Sequence, residues 1–315
     1  TAVGVDHPHP APQPDDVFLI SGGARGIAAA AARTLAARSR VRLVLLGRTA
    51  VTEPEPAWLD GITEESAVKK AILQHQFGGT LDSPKTLEKA FRGYMRRREI
   101  AATLADIRGL GSEAAYRSVD IRNAEQVRSV LEEIRAETGP ITGLIHAAGV
   151  LEDRLILDKT LEQFEKVFAT KVDGFEALMN ALRHDALKHL VIFSSVAART
   201  GNIGQADYAM ANEALNKKAR QLARELPDCR VSSINWGPWD GGMVAGALKR
   251  EFERKGIPLI PIEQGVACLL REMAASAERP IEVVVGGFPV PAATAEEPSA
   301  NAEGRPSEII RFVGR

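Results

Sequence analysis

Short apolar runs recur along this chain, and stretches with helical spacing separate them. Val17–Ile20, Val41–Leu46, Ala114–Val119, Leu144–His146, Leu190–Phe193, Val231–Asn235 and Ile281–Val285 read as strands. Helical patterns cover about 25–38, 123–138, 160–187, 204–225 and 262–275. Strands bounded by Gly or Asp and divided by helices predict βαβ units and a parallel sheet. With right-handed crossovers this becomes a Rossmann-like, doubly wound α/β fold of about seven strands. At 45% hydrophobic residues in 315, the chain has enough apolar surface for such a core.

One segment breaks the rhythm. Residues 50–87 follow the second strand, where a short loop is the norm. Glu64–Gln76 predicts an inserted helix, and Ser83-Pro84 starts another that runs through Arg96-Arg97-Arg98 to about Arg108. The basic triplet reads as a solvated helix face. Both ends read as linkers, 1–15 and 288–315, around one domain at 16–287. Proline stands at every second position in 7–14, and 289–307 is rich in Pro, Ala, Glu and Ser. The chain begins at Thr1, and the flanking linkers fit a domain within a longer protein.

Composition excludes several classes of function. Forty basic against 41 acidic residues leave a net charge of -1, which argues against nucleic acid as a partner. Two cysteines, Cys229 and Cys268, cannot build a disulfide scaffold or a cysteine zinc site. No His or carboxylate cluster has metal-ligand spacing, so no metal is expected. No Gly-x-Ser-x-Gly elbow of a serine hydrolase is present. No apolar run approaches the ~18 residues of a membrane span, and the proline-rich start is unlike a signal peptide. A cytoplasmic location follows as the expectation.

Ser21-Gly22-Gly23-Ala24-Arg25-Gly26-Ile27-Ala28 joins the first strand to the first helix. Glycines there allow a tight turn, and the helix N-terminus attracts a pyrophosphate. Gly22, Gly23, Ala24, Arg25, Gly26 and Ile27 are therefore cofactor-binding candidates. The second strand ends Leu46-Gly47-Arg48-Thr49, with no acid to hold a ribose 2′-hydroxyl. The guanidinium of Arg48, with Thr49 beside it, suits a 2′-phosphate and predicts NADPH over NADH. Asp120, followed by Ile121, is expected to accept from the adenine amino group. Ala147, Ala148 and Gly149, after the fourth strand, let a cofactor lie close. His146 is read as a packed core histidine.

Ser194-Ser195 ends the fifth strand, and Tyr208 follows Ser195 by thirteen residues. Tyr208 and Asn212 are one helical turn apart and share a face, whereas Lys217 falls nearly opposite. Together these residues resemble the short-chain dehydrogenase/reductase family, in which a tyrosine protonates a carbonyl oxygen as hydride arrives. A phenol with a pKa near 10 needs a cation beside it; three units of depression take about 4 kcal/mol. Most members supply a lysine four residues after the tyrosine, where this chain has Asn212.

That departure is itself a resemblance. In ketoreductase domains of type I polyketide synthases and related fatty acid synthases, this lysine and an upstream asparagine exchange places. Lys171, in Phe168-Ala169-Thr170-Lys171-Val172-Asp173-Gly174, matches the displaced lysine. The resemblance runs from about 16 to 287. It is nearest to ketoreductase regions of polyunsaturated fatty acid synthases and iterative polyketide synthases, through the insertion after Arg48 and through Gln205-Ala206-Asp207-Tyr208-Ala209-Met210-Ala211-Asn212. It implies Tyr208, Ser195, Lys171 and Asn212 as the catalytic set. It also implies Pro238 and Trp239 beside the nicotinamide, and a helical lid near 241–256 hinged at Gly241-Gly242, with Met243 toward the substrate.

Leu151-Glu152-Asp153 resembles the Leu-Asp-Asp signature of B-type ketoreductases, with Glu152 replacing the middle aspartate. Thr200 stands where the A-type marker is tryptophan. Leu151, Asp153 and Gln205 are thereby implied in stereochemistry, with a D-configured, usually (3R), alcohol. The resemblance implies a β-ketoacyl substrate on acyl carrier protein and other synthase domains as partners. Ala28 replaces a third glycine, and the degenerate structural half of modular ketoreductases is absent from this chain. Two other readings stay open: a stand-alone reductase of free ketones, and a redox-inactive NADPH-binding scaffold.

Overall fold

The computed structural model describes residues 9–51, 54–81, 83–241, 246–276 and 279–286. Seven strands form one parallel sheet: β1 (Val17–Ser21), β2 (Arg42–Gly47), β3 (Ala114–Ser118), β4 (Gly143–His146), β5 (His189–Ser195), β6 (Arg230–Trp236) and β7 (Glu282–Val285). Their order is β3-β2-β1-β4-β5-β6-β7. The order reverses direction between β1 and β4, so a crevice opens beyond the carboxyl ends of those strands.

Nine α-helices accompany the sheet among the described residues: α1 (Gly26–Ser39), α2 (Glu65–Phe77), α3 (Pro84–Gly109), α4 (Ala124–Thr138), α5 (Leu161–Ala181), α6 (Ala197–Thr200), α7 (Ala206–Glu225), α8 (Ala247–Arg254) and α9 (Ile262–Met273). None is long and apolar enough to cross a membrane. On one face, the alanines of α1 let it lie close to Phe18, Ile20, Leu43 and Leu45, with α3 and α9 beside it. On the other, Val127, Phe175, Leu178 and Leu215 from α4, α5 and α7 pack on Leu19, Val44, Leu144 and Ile192. Alternate strand residues thus feed two separate cores.

Local chemistry sets the helix starts. Asn123 accepts from the backbone N–H groups of Glu125 and Gln126, and Thr160 with Gln163 forms a capping box at α5. Ser83 caps α3 ahead of Pro84. The helical pattern over 160–187 overshoots, because α5 ends at Ala181. Beyond it, buried Asp185 turns inward, accepts from Ile141 N–H at 3.0 Å and pairs with Arg135 at 2.6 Å.

The insertion reaches further than 50–87. A 3-10 turn (Ala57–Leu59) and α2 pack Leu59, Val68 and Ile72 against Leu87, Phe91 and Tyr94 of α3. Arg98 fastens this cluster by donating to the carbonyls of Ile62 at 2.6 Å and Leu59 at 2.9 Å, and by pairing with Glu55. The second half of α3 is the ordinary crossover helix, with Ile100 and Ile107 in the main core. At the start, His9 packs edge-on against His189, so the described part of 1–15 lies on the domain.

Gly143 shows how tightly β4 sits. It pairs with Phe18, and a Cβ added there would fall 2.3 Å from the Phe18 ring, which is fully buried. Gly143→Ala is expected to lower unfolding free energy by about 1–3 kcal/mol through overpacking, read as an earlier midpoint in urea denaturation.

Candidate functional site

The carboxyl edge of the sheet gathers the chemistry. β1 runs into the glycine turn, where Gly22 has φ +71° and Gly26 φ +56°, both in the left-handed region. A Cβ on Gly22 would meet the backbone of Ala148 at 3.2 Å, so the turn nests against the end of β4. α1 has no side-chain cap and no acid in its first turn. Glu99, from α3, pairs with Arg25 at 2.5 Å and accepts from Gly26 N–H at 3.3 Å. Ala24 is buried, and Ile27 packs on the main core.

Arg48 is exposed just past β2, close enough to help hold the Asp120 carboxyl below its usual range. The larger cause of that lowering is Arg122, whose guanidinium grips both Asp120 oxygens at 2.6–3.1 Å. Thr49 gives its carbonyl to the Tyr116 hydroxyl at 3.0 Å. Ile121 is buried against Gly174 of α5. A groove of about 740 Å³ opens here, lined by Asp120, Arg122, Asn123, Lys166 and Asp173 among others.

His146 is fully buried at the end of β4. Its Nε2 lies 3.0 Å from the Lys171 carbonyl, an acceptor only, so Nε2 carries the proton. Nδ1 then accepts from Ser21 Oγ at 2.9 Å, and Ser21 Oγ in turn accepts from Ala147 and Ala148 N–H. Burial first, and the Lys171 charge second, push the imidazole down to about 3, so it is neutral. The histidine is a brace between strand and helix.

That brace presents Lys171. Its side chain crosses beneath Gly149, where a Cβ would fall 3.2 Å from Lys171 Cε. Nζ donates to the Phe193 carbonyl at 2.9 Å and lies over the Tyr208 ring, 5.4 Å from its centre. Burial pushes the amine down to about 7. Burial pushes the Tyr208 phenol up; Asn212 and Ser195 oppose that rise, and the Asp153 carboxylate adds to it. Asn212 Nδ2 donates to the Tyr208 carbonyl at 2.7 Å, while its buried Oδ1 accepts no hydrogen bond. Ser195 Oγ accepts from Ala197 N–H at 3.2 Å. Lys217, by contrast, pairs with Glu213 away from the phenol.

Gln205 Nε2 donates to Asp153 Oδ2 at 3.0 Å, joining two residues implied in stereochemistry, and Glu152 pairs with Lys166. Leu151 is half-buried on the same loop. Trp239 is buried against Trp236, under Gly265 of α9, so its side chain belongs to the core; Pro238, before it, is half-buried. Gly241 has φ +144°, whereas Gly242 and Met243 lie outside the described residues. Sequence reasoning missed the Lys159–Asp207 ion pair, buried beside Tyr208, because neither residue breaks a helical or strand pattern.

The chain matches the KR domain family over residues 17–241, a stretch containing the glycine turn, Lys171, Ser195, Tyr208 and Asn212. It is 41% identical over 285 residues to one of the subunits of the polyunsaturated fatty acid synthase of a Thraustochytrium species, covering 88% of this chain and 10% of that protein. It is 32% identical over 194 residues to polyketide synthase PksN of Bacillus subtilis, covering 59% and 4% respectively. Among solved structures, a ketoreductase domain from the bacillaene assembly line superposes with a TM-score of 0.66 at 28% identity, over 89% of this chain and 58% of that one. A short-chain dehydrogenase/reductase of Serratia marcescens, at 16% identity and TM-score 0.63, shares the fold over 87% of this chain and 97% of its own. The chain thus spans a small fraction of its curated relatives and about half of the solved ketoreductase domain. With the matched stretch running from the glycine turn past Asn212 and the sheet order of a doubly wound fold, this chain belongs to the KR (ketoreductase) domain family.

Proposed function

We propose that this chain reduces the β-ketone of an acyl thioester, carried on the phosphopantetheine arm of an acyl carrier protein, with NADPH as reductant. The observation that carries the reading is the arrangement at the phenol. Lys171 Nζ lies over the Tyr208 ring, and Asn212 takes the position one turn beyond the tyrosine.

The residues present fit a phosphorylated dinucleotide. The start of α1 has no cap of its own and no acid in its first turn; once the exposed Glu99 carboxylate leaves Gly26 N–H, it offers backbone N–H groups and a positive dipole to a pyrophosphate. Arg48, exposed and without an acid of its own strand end beside it, offers a fork to a 2′-phosphate. When bound, NADPH supplies the hydride that the β-carbon takes up.

The protein's own groups do the rest. Ser195 and Tyr208 donate to the ketone oxygen, where negative charge grows. Burial keeps the Tyr208 phenol protonated at neutral pH, so it is ready as the acid, and it gives its proton to that oxygen. Lys171, as ammonium, stabilises the phenolate left behind. Asn212 Oδ1 is an acceptor for a water that returns the proton. Asp153 and Gln205, bonded to each other, border the substrate side with Leu151, and we assign a B-type outcome with a D-configured alcohol. The carrier protein and neighbouring synthase domains are the partners, in the cytoplasm.

Supplying a carrier-bound β-ketoacyl thioester with NADPH is expected to give the (3R) alcohol, identified by chiral chromatography; turnover of free ketones alone would defeat the reading. Tyr208→Phe is expected to lower kcat about 10²- to 10⁴-fold with NADPH binding retained, measured by steady-state kinetics and cofactor fluorescence.

Lys171 also predicts a pH dependence of stability in the cofactor-free protein. Its folded value of about 7 lies below the unfolded value of 10.5. Above pH 7 the unfolded chain therefore holds a proton that the folded one has released, and unfolding free energy rises with pH. The slope approaches about 1.4 kcal/mol per pH unit between pH 7 and 9. The buried Cys229 thiol, pushed up from 9.0 to about 12, acts with opposite sign, an effect that sets in as pH nears 9 and grows beyond it, so the rise is steepest below that point. Urea titrations should show the rise in wild type and its loss in Lys171→Met.

A further inference from the structure

The loop from β4 to α5 carries Leu151, Glu152 and Asp153 and lies against the start of the catalytic helix α7. Three links hold it there. Arg154 N–H donates to the Gly204 carbonyl at 2.9 Å. Gln205 Nε2 donates to Asp153 Oδ2 at 3.0 Å. The third link is Lys159. Its Nζ donates to the Glu152 carbonyl at 2.6 Å and to Asp207 Oδ2 at 2.7 Å. Asp207 precedes Tyr208, and its Oδ1 accepts from the Tyr208 N–H at 2.9 Å.

The first two links are exposed, and the third is not. The Lys159 and Asp207 side chains are 4% and 1% exposed. Taking two charges out of water costs as much as their attraction returns, so such a pair is a poor device for stability alone. What it supplies is geometry. An ammonium has three donors, and here one goes to the loop backbone and one to the carboxylate that also holds the tyrosine's own N–H. No apolar side chain can make both connections.

We propose that Lys159 is a positioning residue, which fixes the 151–158 loop relative to Tyr208 and thereby sets the face on which the ketone is presented. The proposal rests on the ketone-reducing reading above and goes beyond it, since it assigns the control of face selection to a group that touches neither ketone nor cofactor. Glu152 is steadied from both sides, its carbonyl by Lys159 and its carboxylate by Lys166. With Lys159 gone, the loop keeps only its exposed links, while Asp207 is left as a buried charge next to the catalytic residue.

The experiment compares wild type, Lys159→Met, Lys159→Arg and Asp207→Asn as purified proteins. A β-ketoacyl thioester is reduced with NADPH, the two epimeric alcohols are quantified, and amide hydrogen exchange is followed over 151–158 and at Tyr208. Lys159→Met is expected to lower kcat/KM for the thioester by roughly 10- to 100-fold, as for a misplacement near 1 Å. The minor epimer should rise about tenfold, a change of about 1.4 kcal/mol in the preference between faces. Exchange over 151–158 should quicken, with NADPH affinity unchanged. Lys159→Arg, which keeps the charge, should restore part of the epimer preference. Should Lys159→Met fail to fold, Asp207→Asn carries the same test, because it keeps an acceptor for the Tyr208 N–H while removing the charge. A folded variant with unchanged epimer ratio and unchanged exchange over the loop overturns the proposal, even if its rate falls. If wild type itself leaves the thioester unreduced, the functional reading fails instead, and the exchange measurement still decides whether Lys159 holds the loop.

Discussion

Lys171 is 3% exposed, and the hydrogen-bond acceptor the protein gives its ammonium is the Phe193 carbonyl. A charge so placed dictates much around it. α5 must come close to the loop that follows β3, which Gly174 allows: a Cβ there would fall 2.7 Å from Ile121. The backbone of Lys171 must not drift, and His146, itself held by Ser21, donates to its carbonyl. The chain above must be bare, and Gly149 is. One strand end, one glycine loop and one helix thus owe their relative placement to a single side chain, and the tyrosine on α7 meets it from the other side.

α7 is held by a different means. Asn235 of β6 accepts from Asn216 Nδ2 at 3.0 Å, and Ser194 Oγ lies 3.1 Å from the same Asn235 oxygen. Ser233 donates to Asn216 Oδ1 at 2.7 Å, and Asn235 Nδ2 donates to Glu282 of β7 at 3.3 Å. Glu282 in turn receives Arg220 from α7 and Arg199 from α6. These buried polar groups satisfy one another, so the network specifies a single register between helix and sheet. Ser195 ends β5 beside it, and its distance from Tyr208 is therefore inherited from strand pairing rather than from a flexible loop.

The strands and helices were legible because period and punctuation agree: Val17–Ile20 precedes glycines, Asn123 and Thr160 precede helical spacing. The grouping around Tyr208 was legible because Ser195, Tyr208 and Asn212 sit at short fixed separations, and Lys171 joined it once Asn212 stood where a lysine is usual. Tertiary pairings were not. Nothing in spacing says that Asp185 will turn inward to Arg135, 50 residues away, or that Asp207 will bury its charge on Lys159. Trp239 reads as a neighbour of the cofactor by resemblance, yet its ring packs beneath α9, since an indole of that size gains most by leaving water. The reach of the insertion was hidden for a related reason. α3 is one unbroken helix of 26 residues, and only packing shows that its first half serves α2 and its second half the sheet.

The two ends of the crevice are built from charges of different kinds. At the end assigned to the adenosine phosphate, Arg25 with Glu99 and Asp120 with Arg122 are exposed pairs, each worth about 1 kcal/mol or less. Such pairs can open toward a phosphate and close again at little cost to the fold, and salt weakens them further. At the reacting end, Lys171 and the Lys159–Asp207 pair are buried, and breaking a buried pair by removing one partner costs about 3–5 kcal/mol. The exposed end can therefore adapt to its ligand, while the buried end holds its geometry before any ligand arrives. The proton transfer proposed for Tyr208 needs the second property, since an acid displaced by an ångström loses most of its advantage. Recognition of an anion needs only the first.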